Sequence, residues 1–332
     1  MKSFVWHIFY YSGLSALMRF RARNALTIVL YHGVDERRDL GIYNYRGKFI
    51  SPEAFDRQLA YFKKKYTVLP LDEAVDMLRT GTSLPPYTLI ITFDDGYHNN
   101  FTHALPLLKK YNLPATIFIT TNFVEKHEPL WVDRLEYVVS KGAIGTTREE
   151  KVAFDRKTRE RLKKLSHTER LRELADIEKE YGVQLADFDG ERAVYAPLSW
   201  EDIAEMGRHA IMFGAHTKSH PILNTLSPEE QRAEIEESLT LLQRRCSAVS
   251  SVFAYPNGQT GDMDTTTCRI VERLGFRGAL TTIPGFATDT SDVWMLPRYT
   301  LDASESFPFF VATVSGVRQL INSLYKHHAK RS

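Results

Sequence analysis

Thr88-Leu89-Ile90-Ile91-Thr92-Phe93-Asp94-Asp95-Gly96 is an apolar run that stops at two adjacent carboxylates and a glycine. The run reads as a buried strand, and Gly96 lets the chain turn sharply behind it. Two unpaired carboxylates at the edge of a core are expensive, so their placement asks for a reason. Consecutive residues leaving a strand point in different directions, which lets the two aspartates hold different jobs.

Working outward, similar runs recur at Leu26–Tyr31, Ala115–Ile119, Ile211–Ala215, Val252–Ala254, Gly278–Leu280 and Leu296–Thr300. They alternate with helix-period segments, which predicts an α/β fold with mostly parallel strands. Ser51 ahead of Pro52 marks one helix start, with Phe55, Leu59 and Phe62 on its inner face. A second helix runs over Leu71–Leu78 and ends at Gly81. Residues 125–196 break the alternation. They are highly charged and helical in period at Arg148–Leu165 and His167–Tyr181, and they carry no strand signal. They read as a helical insertion on the strand-end face. Ser199 then caps a further helix, and residues 306–332 read as a C-terminal helix with a basic tail.

The chain has 332 residues, a net charge of +2 and 43% apolar residues. That is ample for one large core in residues 26–305, and the near balance of charge gives no sign of a nucleic-acid partner. Cys246 and Cys268 are the two cysteines, with neither a disulfide framework nor a zinc-finger spacing. Residues 1–25 are aromatic and apolar up to Met18, followed by Arg19, Arg21 and Arg23. They suit an interfacial amphipathic segment or a helix that closes one end of the fold, better than a signal peptide or a membrane span. The reading is a cytoplasmic protein with peripheral contact at the inner membrane face, export being left open.

Polar residues follow the runs: His32, Asp94 and Asp95, Thr120–Asn122, His216 and Tyr255. In parallel α/β barrels that edge is where sites are built. His216 and His220 stand four apart, ahead of Pro221, on a single turn leaving a strand. One carboxylate with two imidazoles is a facial ligand set for a divalent transition ion, and zinc suits the donors. The other carboxylate is free to act as a general base, so the constellation points to metal-assisted hydrolysis. In Tyr255-Pro256-Asn257-Gly258, a shaped loop could aim the Tyr255 N–H at a developing oxyanion. Tyr97, Trp131 and Tyr255 are candidate substrate-contacting aromatics, with flat faces suited to stacking.

Thr92-Phe93-Asp94-Asp95-Gly96, His216-Thr217-Lys218-Ser219-His220-Pro221 and Tyr255-Pro256-Asn257-Gly258, in that order, resemble the three motifs of the polysaccharide deacetylase (NodB-homology) family. The resemblance covers about residues 26–301. It implies a distorted (β/α)7 barrel, Asp94 as base, Asp95, His216 and His220 as Zn2+ ligands, and deacetylation of an N-acetylated glycan or lipid-linked sugar. Two departures stand out. Ala254 occupies the place where many members carry an arginine that holds the catalytic aspartate. Met295-Leu296-Pro297-Arg298 replaces the late Leu-x-His segment that supplies the acid. Arg298 is the candidate to hold Asp94 instead, and His32 the candidate acid. A catalytically impaired sugar-binding relative, or another amide or ester hydrolase on the same barrel, are the alternative readings.

Overall fold

The computed structural model describes residues 2–36, 41–184, 195–301 and 306–322. Two helices lead in, α1 (Lys2–Tyr11) and α2 (Leu14–Arg21). Seven parallel strands then form a curled sheet. They are β1 (Thr27–Tyr31), β5 (Thr88–Phe93), β6 (Ala115–Ile119), β7 (Ile211–Ala215), β8 (Val249–Ala254), β9 (Gly278–Leu280) and β10 (Tyr299–Thr300), in the order β10-β1-β5-β6-β7-β8-β9. This is the expected α/β barrel architecture. Short strands β2 (Gly33–Val34) and β3 (Phe49–Ile50) pair with each other, and β4 (Thr67–Val68) pairs with β5. None of the three was expected, because two residues leave no readable alternation.

Helices fill the connections as their sequences dictate. Ser51 accepts from Ala54 N to start α3 (Pro52–Lys65), and α4 (Leu71–Thr80) ends on Gly81 in the left-handed region. The last strand is shorter than its apolar run, for Pro297 cannot donate to a ladder. β5 lies between β1 and β6 with every residue buried, so Asp94 leaves the middle of the sheet rather than an edge.

Helix α5 (Leu105–Tyr111) follows β5 and α6 (Thr121–Lys126) follows β6; the described part of the insertion is then helical as read, with α7 (Trp131–Lys141), α8 (Arg148–Leu162) and α9 (His167–Glu180). It has its own apolar cluster, with Leu135, Val138, Leu162 and Leu174 at its centre. Its return is stitched to the loop after Asp95, where His98 N donates to Ala196 O at 2.7 Å and Leu198 N to Gly96 O at 2.9 Å. Beyond it come α10 (Trp200–Met206), α11 (Pro228–Arg245), α12 (Thr265–Arg273) and α13 (Phe307–Val314). The basic tail at residues 323–332 lies outside the described residues.

Candidate active site

Asp94 still belongs to the sheet ladder, its N–H donating to Tyr31 O at 2.9 Å. Asp95 does not. Its φ of 78° swings the chain through the left-handed region and separates the two carboxylates. Gly96 continues the turn at φ 91°, where a Cβ would sit 2.8 Å from the Ile119 side chain. Thr217 (φ 65°) and His220 (φ 58°) are also left-handed. Three non-glycine residues in that region within one site is stored strain of the kind functional loops carry.

The strained His216–His220 loop is tied down from outside. Glu234 on α11 accepts from Lys218 N at 3.0 Å and from Ser219 N at 2.9 Å and Ser219 Oγ at 2.7 Å. Thr121 and Asn122 donate to the carbonyls of Thr217 and Lys218. Glu234→Ala should therefore weaken divalent-metal affinity by about 10–100-fold, the usual effect of removing an outer partner of a ligand loop. A metal titration of the folded variant checks this.

Asp95, His216 and His220 each offer a ligand atom within 4.8 Å of the others, and all three are buried. His216 donates from Nδ1 to Ala254 O at 2.7 Å, which leaves its Nε2 lone pair facing inward. That nitrogen is 3.6 Å from Asp95 Oδ1, and His220 Nε2 is 3.4 Å from the same oxygen. Burial lowers the pKa of both imidazoles, so both are in the neutral, metal-binding form. Asp95 Oδ1 is buried and has no hydrogen-bond partner. Burial pushes its carboxyl up to about 7, against the Lys48 charge and with the help of Asp94 and Asp133. An orphaned oxygen facing two ring nitrogens is what a divalent cation would reconcile, so the donors fit the expected ion.

Asp94 is held differently. Arg298, fully buried, forks onto it with Nη1 donating to Oδ1 at 2.8 Å and Nη2 to Oδ2 at 2.7 Å. Arg298 is itself fixed by Nε donating to Thr281 O and Nη1 to Thr92 Oγ1. Burial alone would raise the Asp94 pKa, but the charge of Arg298 and its two hydrogen bonds outweigh it and hold the carboxyl below its usual value. Asp94 Oδ2 is 3.9 Å from His216 Nε2, so an ionised carboxylate stands beside the trio.

These groups open into a cavity of about 330 Å³ whose walls include His32, Lys48, Asp133, Glu136, Asn257 and Gln259. The insertion supplies Asp133 and Glu136, and Arg159 and Lys163 further round the same wall. His32 lines the cavity as expected. Burial drives its pKa down to about 3 against the pull of Asp94, so the ring is neutral at rest and holds no proton to give.

Four expectations, on three residues, are corrected. Tyr255 N donates to Leu280 O at 3.1 Å inside the sheet, so that N–H is spent and is not an oxyanion donor. The Tyr255 ring is buried too, its hydroxyl donating to Trp294 O. Trp131 is buried in the insertion's core with the guanidinium groups of Arg159 and Arg170 against its ring, and it does not line the cavity as a stacking platform. Tyr97 is fully buried and serves structure, its hydroxyl donating to Asp133 Oδ2 at 2.6 Å. Aromatic residues within the motifs and at the border of the insertion are natural sugar platforms by position, yet burial won for all three.

Lys48 was missed. It stands two residues before the buried Ile50 in a segment with no periodic signal, and a lone lysine there reads as surface. Its ammonium donates to Tyr97 Oη and to Asp133 Oδ1, the latter at 2.5 Å, and lies 4.0 Å from Asp95 Oδ2. Lys48→Met should cost about 1–3 kcal/mol, the penalty for leaving a buried acceptor short of a partner while Tyr97 still serves Asp133. Denaturant unfolding measures it.

Comparison with known proteins bears on the family and the fold. A family model described as polysaccharide deacetylase matches residues 82–279. A Bacillus subtilis (strain 168) protein, YxkH, provisionally named a polysaccharide deacetylase, is 23% identical over 294 residues, 88% of this chain and 77% of its own. Among solved structures, Streptococcus pyogenes deacetylase PplD in complex with acetate superposes with a TM-score of 0.62 at 21% identity. It covers 88% of this chain and 99% of its own. A polysaccharide deacetylase from Bacillus cereus gives 0.58 at 18% identity, covering 88% and 69%.

Proposed function

We propose, from the premise that this chain belongs to the polysaccharide deacetylase family, that it hydrolyses the acetamido group of N-acetylated sugars with a divalent ion, zinc by donor type, held by Asp95, His216 and His220. The observation that carries this is the orphaned Asp95 oxygen between two neutral imidazoles, with an ionised Asp94 beside it. When bound, such an ion supplies Lewis acidity toward the acetyl carbonyl and a water acidic enough to be deprotonated near neutral pH.

The chain's own residues do the rest. Asp94 accepts the proton of the attacking water. Its low pKa keeps it ionised and ready, and the Arg298 fork fixes the direction of its oxygens. The leaving amine needs one proton, and Asp94 has just gained one. We assign His32 as the relay between them rather than the resident acid, because its ring enters the reaction neutral. Lys48 and the acidic wall of α7 shape the cavity for a polar, hydroxyl-rich substrate.

Assaying free amine from metal-replete protein on acetylated glucosamine oligomers, and on lipid-linked acetamido sugars, tests the reading. His32→Ala should reduce kcat by about 10²-fold or more, the scale of a lost proton-transfer group, without changing metal content. Wild-type turnover of simple acyl esters with indifference to acetylated glycans would count against a sugar substrate.

A further inference from the structure

From Val5 to Tyr11 helix α1 is apolar and aromatic except for His7, far more so than an ordinary surface helix. One face is used inside the protein: the Trp6 ring meets Phe309 edge-on at 4.8 Å, and Tyr10 meets Phe307 at 6.1 Å. The other face carries Val5, Ile8 and Tyr11, spaced three apart and exposed at 41%, 50% and 79%. Leu17 and Phe20 on α2 extend it, exposed at 56% and 53%. With Leu320, these are all the large exposed apolar side chains among the described residues. They are gathered in one place rather than scattered.

The segment that carries this patch, and the end of α3 beside it, hold charges of one sign. Residues 1–34 contain no Asp or Glu. Arg21 is exposed on α2, and Arg19 donates to Lys65 O at 2.9 Å, which brings the exposed run Lys63-Lys64-Lys65 at the end of α3 alongside. Ten residues of α1 span about 15 Å, half of a hydrocarbon core, so the helix can lie on a bilayer and not cross it. No helix among the described residues is long and apolar enough to cross one.

We propose that the outer face of α1 and α2, with its collar of Arg21, Lys63, Lys64 and Lys65, docks on the surface of an anionic lipid bilayer. Apolar side chains enter the acyl boundary while the basic collar meets the headgroups. The basic collar favours this occupant over a second copy of the chain, whose identical collar would repel it. Docking also sets direction. Arg23 O accepts from Tyr87 N just ahead of β5, and α2 leads into the start of β1, so α2 sits at the strand-start end. Asp94 leaves the opposite end, and the cavity mouth would open away from the lipid, toward a polymer in the aqueous phase.

Vesicle co-sedimentation of the full chain tests this without any assay of turnover. The protein should pellet with phosphatidylglycerol-containing vesicles and not with pure phosphatidylcholine, and high salt should release it. Ile8→Glu with Phe20→Glu should lower partitioning about tenfold or more, and Lys63→Glu with Lys64→Glu should do the same. Both pairs should keep the wild-type circular dichroism spectrum and unfolding midpoint, which shows that they fold. Equal binding to both vesicle types, or no loss in either pair, would overturn the proposal. So would a concentration-dependent dimer abolished by the apolar pair, which would assign the face to a second copy.

Discussion

Asp94→Asn should lower kcat for amine release by about 10²–10⁴-fold while the protein still binds its divalent ion. The substitution is nearly isosteric, and asparagine can still meet Arg298 through its carbonyl oxygen. What it removes is the ability to take a proton. The carboxylate is held ionised by Arg298 despite complete burial, so the wild-type site is poised as a base and the amide is not. Because Asp94 is no member of the trio of ligand atoms, metal content should be unchanged. His216→Ala is the contrasting case, losing metal and turnover together. Full activity in purified Asp94→Asn would falsify the assignment of the base, whatever the ion does.

Arg298→Met should destabilise the fold by about 3–5 kcal/mol and suppress turnover as well. The guanidinium is fully buried and its two bonds to Asp94 lie at 2.7 and 2.8 Å, so removing it strands a carboxylate in the core. Pairing it with Asp94→Asn removes the stranded charge, and a good part of the lost stability should return. The remainder reflects the Thr281 carbonyl and Thr92 hydroxyl that Arg298 also serves. Denaturant unfolding of both singles and the double variant closes the cycle. Purely additive losses would mean that the fork contributes no coupling, and Asp94 would then owe its ionised state to something else.

The parts of the site that were legible in sequence share one property. Asp94, Asp95 and His216 directly follow apolar runs long enough to be recognised as strands, and parallel strands deliver such ends to one edge. Arg298 could be placed because the last run also ends at that edge, although Pro297 shortens the strand to Tyr299–Thr300. Lys48 was invisible since β3 is two residues long and its partner β2 no longer. The aromatic assignments failed for a different reason. Sequence tells that Tyr97, Trp131 and Tyr255 lie near the motifs, but their depth is set by what packs over them. The insertion buries Trp131 within its own cluster, with two arginines against its ring. The Tyr255 N–H was lost to the ladder with Leu280, a pairing of distant strands that no local pattern records.

The decisive observation is acetate release by chelator-stripped protein as Zn2+ is returned stepwise, with bound metal counted in the same samples. Turnover should climb in proportion to one ion per chain, and Asp95→Ala should show neither the ion nor the climb. Undiminished turnover by the stripped protein, or an ion retained at full stoichiometry in Asp95→Ala, would contradict the site described here.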